Sequence, residues 1–344
     1  MKRPTPLTPA KARCLNRLSD GQGRFGVLAV DQRPPLMQVA ARATGKPMTD
    51  VNTEVSQLKG LLAETLSDLV TGILVDPYLG FHTVLPHVRR ETGLLVTLEH
   101  HAFKEVERGH RLSAAIPGWN VKRAVQYAAE GIKVLAWYRP DAPQEVKDHQ
   151  LNFVKEMGDA CAQFDRPYIF EILPYQLEGE SAEDYAAAIP DLTLGAIEDL
   201  KDPAFGVDLY KLALPVAPAL VSEWGGQGSS VAEAERLMRQ ITEALPTPWV
   251  LLSGGMDTAA FVEAMQAAAR AGASGYMAGR AVWAKSLDHY PDLLATHAAL
   301  MRDGRQALKD LNQVLESIAP DPITTDYTIY PVGEATANLV HGEY

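Results

Sequence analysis

The chain has 344 residues, of which 47% are hydrophobic and 22% charged, and a formal net charge of −11. This length and balance suit a folded globular protein of one large domain or two ordinary ones, and exclude a disordered chain. The acidic excess argues against nonspecific nucleic-acid binding, while leaving room for a local basic pocket that takes an anionic metabolite.

Met1-Lys2-Arg3 at the N-terminus leads into Ala10-Lys11-Ala12-Arg13 rather than an apolar stretch, so the segment does not read as a signal peptide. No apolar run approaches the roughly 20 residues that cross a bilayer. Cys14 and Cys161 are the two cysteines and form no CxxC, so neither a disulfide framework nor a thiolate zinc site is expected. These features predict a cytoplasmic protein with a small-molecule partner and neither nucleic acid nor membrane. A homo-oligomer is the default expectation for a metabolic enzyme.

The first strand is predicted over 25–30 and closes on Asp31-Gln32-Arg33, after which Pro34-Pro35 is expected to stiffen the loop. The second, 72–75, ends at Asp76, and the third, 94–98, at Glu99-His100-His101. A fourth strand over 132–138 carries Lys133 inside it. Pro143 then opens a helix on which Val146, Phe153, Val154, Met157, Cys161 and Phe164 fall at helical spacing. The fifth strand, 168–173, contains Glu171, and the sixth, 207–214, contains Lys211.

Ser230-Val231-Ala232-Glu233 reads as a capping box ahead of Leu237 and Ile241. The seventh strand, 249–252, ends in Ser253-Gly254-Gly255, and Asp257 is placed to cap a helix over 258–271 that Gly272 ends. The eighth, 275–278, ends in Gly279-Arg280. Residues 291–318 look helical, and the tail beyond Ala319-Pro320-Asp321-Pro322 is less regular.

Near-continuous apolarity marks strands covered on both faces, as in a parallel sheet. Eight strand-then-helix units with no GxGxxG fingerprint favour a closed α/β barrel over an open dinucleotide-binding sheet. The expected architecture is a (β/α)8 TIM barrel over residues 21–283. A C-terminal helical extension, 284–344, is expected to pack on the barrel or on a neighbouring subunit.

Barrel enzymes place their chemistry at the carboxyl ends of strands. Lys211 is a cation inside an apolar run, where burial favours the neutral amine that attacks a carbonyl. Lys133, Glu171 and Lys211 lie on consecutive strands, and their side chains converge in the barrel mouth if all point inward. A second ammonium beside Lys211 is expected to lower its pKa. Glu171, in apolar surroundings, is expected to have its pKa raised so that it shuttles protons. The plainer reading is a structural Lys133–Glu171 ion pair. Ser253-Gly254-Gly255 offers backbone N–H groups to an anion, and Gly279-Arg280 adds a forked cation, where barrels frequently bind phosphate.

Val-Asp-Gln-Arg at 30–33, Val-Asp-Pro at 75–77, Ile-Lys-Val-Leu at 132–135 and Phe-Glu-Ile-Leu at 170–173 form the first half of a longer pattern. Asp-Leu-Tyr-Lys at 208–211, Trp-Val-Leu-Leu-Ser-Gly-Gly at 249–255 and Ala-Gly-Arg-Ala-Val-Trp at 278–283 complete it. Together they resemble the class I tagatose-1,6-bisphosphate aldolase family, to which the sulfofructose-phosphate aldolases are related. The resemblance implies a Schiff base on Lys211, assisted by Lys133 and Glu171, with no metal or other cofactor. It further implies contacts from Asp31 and Gln32, beside Arg33, to substrate hydroxyls, and phosphate binding by Ser253, Gly254, Gly255 and Arg280, next to Gly279. The implied reaction cleaves a ketose phosphate, such as tagatose 1,6-bisphosphate, to dihydroxyacetone phosphate and an aldehyde.

A sulfofructose-phosphate aldolase is the alternative within the same family. A metal-dependent aldolase is a rival because His82, His87, His100, His101 and His110 cluster in the second and third units, although none has HExxH spacing. His100 and His101 are expected to point to opposite faces if they continue a strand. A non-catalytic sugar-phosphate regulator would keep the anion site, and Leu212-Ala213-Leu214 supports it where such sequences often carry an acidic residue. The loops at 78–83 and 102–117 are expected to select the distal half of the substrate, with Arg108, His110 and Arg111 as candidate anion ligands.

Overall fold

The computed structural model describes residues 6–324. Eight parallel strands close into a barrel: β1 Phe25–Ala29, β2 Gly72–Val75, β3 Gly93–Thr97, β4 Gly131–Trp137, β5 Tyr168–Leu173, β6 Leu209–Leu212, β7 Trp249–Leu252 and β8 Gly275–Ala278. Each strand pairs with its neighbours in chain order, and β8 closes on β1 through pairs such as Val27 with Met277. Helices follow the strands on the outside, so the TIM-barrel expectation holds. No helix among the described residues is long and apolar enough to cross a membrane.

Local signals in the sequence act as expected at several helix starts. Ser230 accepts the N–H of Glu233 at 3.1 Å and opens Val231–Ala244, while Asp257 accepts that of Ala260 at 3.0 Å and opens Thr258–Ala271. Gly272, at φ 98°, ends the latter in the left-handed region that a side chain disfavours. Pro34 and Pro35 form the first turn of the helix Pro34–Thr44 instead of stiffening a loop, because Pro needs no N–H partner there. Helices Leu293–Ala299 and Arg305–Glu316 pack back on the barrel, where Tyr276 donates to Asn312 Oδ1 at 2.7 Å. The last part of the expected extension, residues 325–344, lies outside the described residues.

The barrel interior is layered by the two-residue period of its strands. Val27, Ala29, Leu74, Leu95, Ile169, Leu209, Val250 and Met277 form an inner apolar floor. Beneath it lies a helix that the strand-by-strand reading did not anticipate, Pro9–Leu18, whose Ala12, Leu15 and Leu18 belong to the same cluster. Two strand-end glycines make room for it. A Cβ on Gly93 would stand 2.6 Å from the carbonyl oxygen of Arg17, and one on Gly131 would stand 3.0 Å from Leu18. The helix thus closes the amino-terminal end of the barrel.

Leu15 is fully buried in this plug. Leu15→Ala should lower the unfolding free energy by about 2–5 kcal/mol in denaturant titrations, the range for emptying a packed leucine site. A loss below about 1 kcal/mol would show that the helix rests on the floor without packing into it.

Candidate active site

One step beyond the apolar floor, the same inward alternation turns polar. Ala29 is followed inward by Asp31, Ile169 by Glu171 and Leu209 by Lys211, while Leu95 leads through Thr97 to Glu99. Glu171 and Lys211 are direct partners across β5 and β6. The ring therefore delivers its charges to one level because the strands are in register.

Lys133 sits at the centre of this layer, 2% exposed. Its Nζ lies 2.7 Å from Glu171 Oε2, 2.9 Å from Glu99 Oε1 and 3.2 Å from Asp31 Oδ2. Lys211 Nζ lies 2.9 Å from the same Glu171 Oε2. The two ammonium groups consequently do not face each other bare, as the sequence suggested, but share one carboxylate oxygen. Arg33 donates to the Glu99 carbonyl at 3.3 Å and to its carboxylate at 3.4 Å. Glu99 also accepts from Thr97 Oγ1 and the Leu135 N–H.

These contacts set the proton affinities. Burial works against the charge of Lys133, but Glu171, Glu99 and Asp31 outweigh it and raise its pKa above the ordinary lysine value. Burial pushes Asp31 upward, yet Lys133, Lys211 and Arg33 bring it down from 3.8 to about 2. Glu171 corrects the expectation made for it. Burial alone would raise its pKa, but Lys133 and Lys211 dominate and hold it below the ordinary glutamate value. An apolar sequence setting does not reveal that two cations flank the carboxylate.

Beside this network, Ser253, Gly254 and Gly255 turn out of β7, with Gly254 at φ 56° and Gly255 at φ 91°. A Cβ on Gly255 would stand 2.9 Å from Arg280 Cζ, so only glycine lets the guanidinium lie against this turn. Ser253 Oγ accepts the Gly279 N–H at 3.4 Å. A Cβ on Gly279 would meet Gln32 Nε2 at 2.6 Å, which is how β8 and the end of β1 approach each other.

A cavity of about 470 Å³ at the carboxyl ends of the strands collects the catalytic and phosphate-binding residues expected from sequence: Asp31, Gln32, Arg33, Lys133, Glu171, Lys211, Ser253, Gly254, Gly255, Gly279 and Arg280. Asp31 Oδ1, Gln32 Oε1 and Arg33 Nε are buried with no hydrogen-bond partner among the described residues. Such atoms are costly to bury unless a ligand satisfies them. Glu99 and Trp137 also line the cavity. Trp137 is four residues from Lys133 on the same strand, and Glu99 was visible as the polar close of the third strand, but neither stood out as a site residue.

Other expectations do not survive. None of residues 78–83 or 102–117 lines the cavity, whose wall comes instead from His100, His101, the end of β4 and the segments following β5 and β6. Tyr78 is drawn away by donating to the Pro117 carbonyl. His110 is bonded to Tyr175, and Arg111 lies over the rings of Phe103, Trp137 and Tyr175 at 4.3, 4.4 and 4.9 Å. His100 and His101 do not point apart. They lie beyond the end of β3, where strand alternation no longer applies, and their rings stack with centroids 4.8 Å apart. Asp76 forms a fully buried ion pair with Lys59 and does not line the cavity. Among the described residues, no group of three or more His, Cys, Asp and Glu side chains is arranged to hold a metal ion.

Comparison with known proteins agrees with this geometry. Residues 26–285 match the DeoC/LacD family aldolase model. The chain is similar to tagatose 1,6-diphosphate aldolase 1 of Streptococcus mutans, 30% identical over 322 residues, covering 91% of this chain and 98% of that protein. In fold it resembles a fructose-bisphosphate aldolase from Plasmodium falciparum, with a TM-score of 0.66 at 14% identity over 93% of this chain and 99% of the other. It also resembles a Schiff-base-forming fructose-1,6-bisphosphate aldolase, with a TM-score of 0.52 at 15% identity over 88% and 99%.

A depressed carboxylate pKa adds stability above its unfolded value, and that stability is lost as pH falls through the folded value. For Asp31 the window runs from about pH 4 down to about 2. The stability difference between wild type and Asp31→Asn, from urea titrations, should be flat above about pH 5 and change steadily below about pH 4. A difference that stays constant across the acid range would show that Asp31 does not feel its three cations.

Proposed function

This chain belongs to the DeoC/LacD family of aldolases and is an aldehyde-lyase, and from that premise we propose that it cleaves a ketose phosphate through a Schiff base on Lys211. The products are dihydroxyacetone phosphate and an aldehyde, and no metal takes part. The observation that carries this reading is the unequal hold on the two buried amines. Lys133 has three carboxylates within 3.2 Å, whereas Lys211 touches one oxygen already shared with Lys133. Lys133 therefore remains the fixed charge, and Lys211 is the amine able to attack a carbonyl.

In this mechanism Lys211 adds to C2 of the ketose, and loss of water gives the iminium. Glu171, 2.9 Å from Lys211 Nζ, carries the protons of that dehydration. Glu171 takes the proton that Lys211 gives up to become the attacking amine and returns it to the departing hydroxyl, so it is a carboxylate again when the iminium has formed. The C4 hydroxyl then gives its proton to Glu171, the C3–C4 bond breaks, and its electron pair stays on C3 as the enamine. The aldehyde departs, C3 takes a proton, and water returns the ketone and free Lys211. Asp31 Oδ1 and Gln32 Oε1 are open to accept from substrate hydroxyls. Ser253, Gly254, Gly255 and Arg280 take the phosphate.

Borohydride reduction with dihydroxyacetone phosphate should leave a covalent mass increase on Lys211, unaffected by chelator and abolished in Lys211→Met. Arg280→Ala should mainly raise KM, by about ten- to a hundredfold, the scale for losing one charged phosphate ligand. No adduct with any ketose phosphate, or turnover abolished by chelator, would overturn the Schiff-base reading.

A further inference from the structure

We propose that the cavity is built for a ketose with a single terminal anion, a 1-monophosphate whose released aldehyde is uncharged. The inference rests on the Lys211 reading and adds the chemical class of the aldehyde half. Charge in the cavity wall is nearly all committed. Lys133, Lys211 and Arg33 face Asp31, Glu99 and Glu171, three cations against three anions, through the contacts described above, with the Arg33 Nε as the one donor of these three cations left without a partner among the described residues, on the Glu99 side of the ring. Arg280 is different. It is exposed, lines the cavity beside Gly255, and its guanidinium has no hydrogen bond or ion pair with any described residue. It supplies one anion cradle, at the ends of β7 and β8.

Across the ring, the ends of β4 and β5 and the helix Ala182–Leu200 present Leu135, Trp137, Leu173, Pro174 and Ile189, with the Tyr185 hydroxyl as an uncharged polar group. A phosphate or sulfonate held there would shed its hydration against apolar side chains with no free cation to replace it. The neighbouring cations and histidines do not alter this. Burial, together with Arg33 and His100, lowers the pKa of His101 and disfavours its charged form. His100 Nδ1 is taken by the Ala102 N–H at 3.0 Å. Arg111 stands behind Trp137, 4.4 Å from its ring, and is not part of the cavity wall. The segment 325–344 contains no lysine or arginine to complete a second cradle.

The test runs the reaction as aldol addition, with dihydroxyacetone phosphate fixed and the aldehyde varied among glyceraldehyde 3-phosphate, glyceraldehyde and lactaldehyde. The uncharged aldehydes should show kcat/KM values at least about tenfold above the phosphorylated one, the effect of leaving one charge unpaired. Ile189→Arg or Tyr185→Arg, each placing a guanidinium on the far wall, should shift the ratio toward glyceraldehyde 3-phosphate by about tenfold. Higher kcat/KM with the phosphorylated aldehyde, a ratio unmoved in both variants, or a borohydride adduct on Lys211 with no aldehyde consumed would overturn the single-anion inference alone. Absence of both adduct and aldehyde turnover would remove the Lys211 reading, and this inference with it.

Discussion

The arrangement of the barrel mouth depends on the burial of one ammonium, Lys133, among three carboxylates. Those carboxylates come from the ends of β1, β3 and β5, and through Glu171 the contact reaches Lys211 on β6. One cation therefore joins five strands at a single level. A buried ion pair is weak evidence for stability, because desolvation offsets the attraction. What the network provides is position. Each carboxylate has one oxygen fixed by Lys133 or its neighbours, and Asp31 is left with its other oxygen facing the cavity. The same contacts hold the Asp31 and Glu171 carboxyls below their ordinary pKa values, so the site can hold negative charge deep in an apolar barrel.

Much of this is legible in the sequence because a closed parallel barrel imposes two simple rules. Strands covered on both faces read as short apolar runs, and β2, β5, β7 and β8 occupy the same residues as the runs that announce them. Polar residues that break such runs face inward, which is why Lys133, Glu171 and Lys211 stood out. The rules fail where periodicity ends. Glu99, His100 and His101 lie beyond β3, where nothing local reveals that Glu99 turns inward to Lys133 while the histidines stack at the rim. The helix Pro9–Leu18 escaped notice for a related reason. Its apolar face is narrow, and the partners that bury it, such as Leu95 and Ile169, are distant in the chain.

Proton affinity was the least accessible property. An apolar neighbourhood in sequence suggested a raised pKa for Glu171, and packing reversed the sign by bringing two lysines to one of its oxygens. Desolvation is a property of the surroundings that local sequence partly reports. Coulombic partners from other strands are not reported by it, and in a barrel every strand end has partners from both sides. The glycines illustrate the same point at the anion cradle. Gly255 and Gly279 are small because Arg280 and Gln32 occupy the space where a Cβ would be, a relation between segments more than 200 residues apart in the second case.

The plugged floor has a consequence for the order of events. With Leu15 and Leu18 sealing the amino-terminal end, the cavity is left to open at the carboxyl ends of the strands. On the proposed mechanism, a substrate bonded to Lys211 at its base is dismantled only from the top. The outer fragment must leave before water can reach the inner one, and the inner one must be freed before another ketose enters. Sequential departure is thus imposed by the shape of the vessel, independently of which bond is slowest to break. A crack in the floor would let solvent reach the carbanion-like carbon from below, and a productive addition would become a futile protonation.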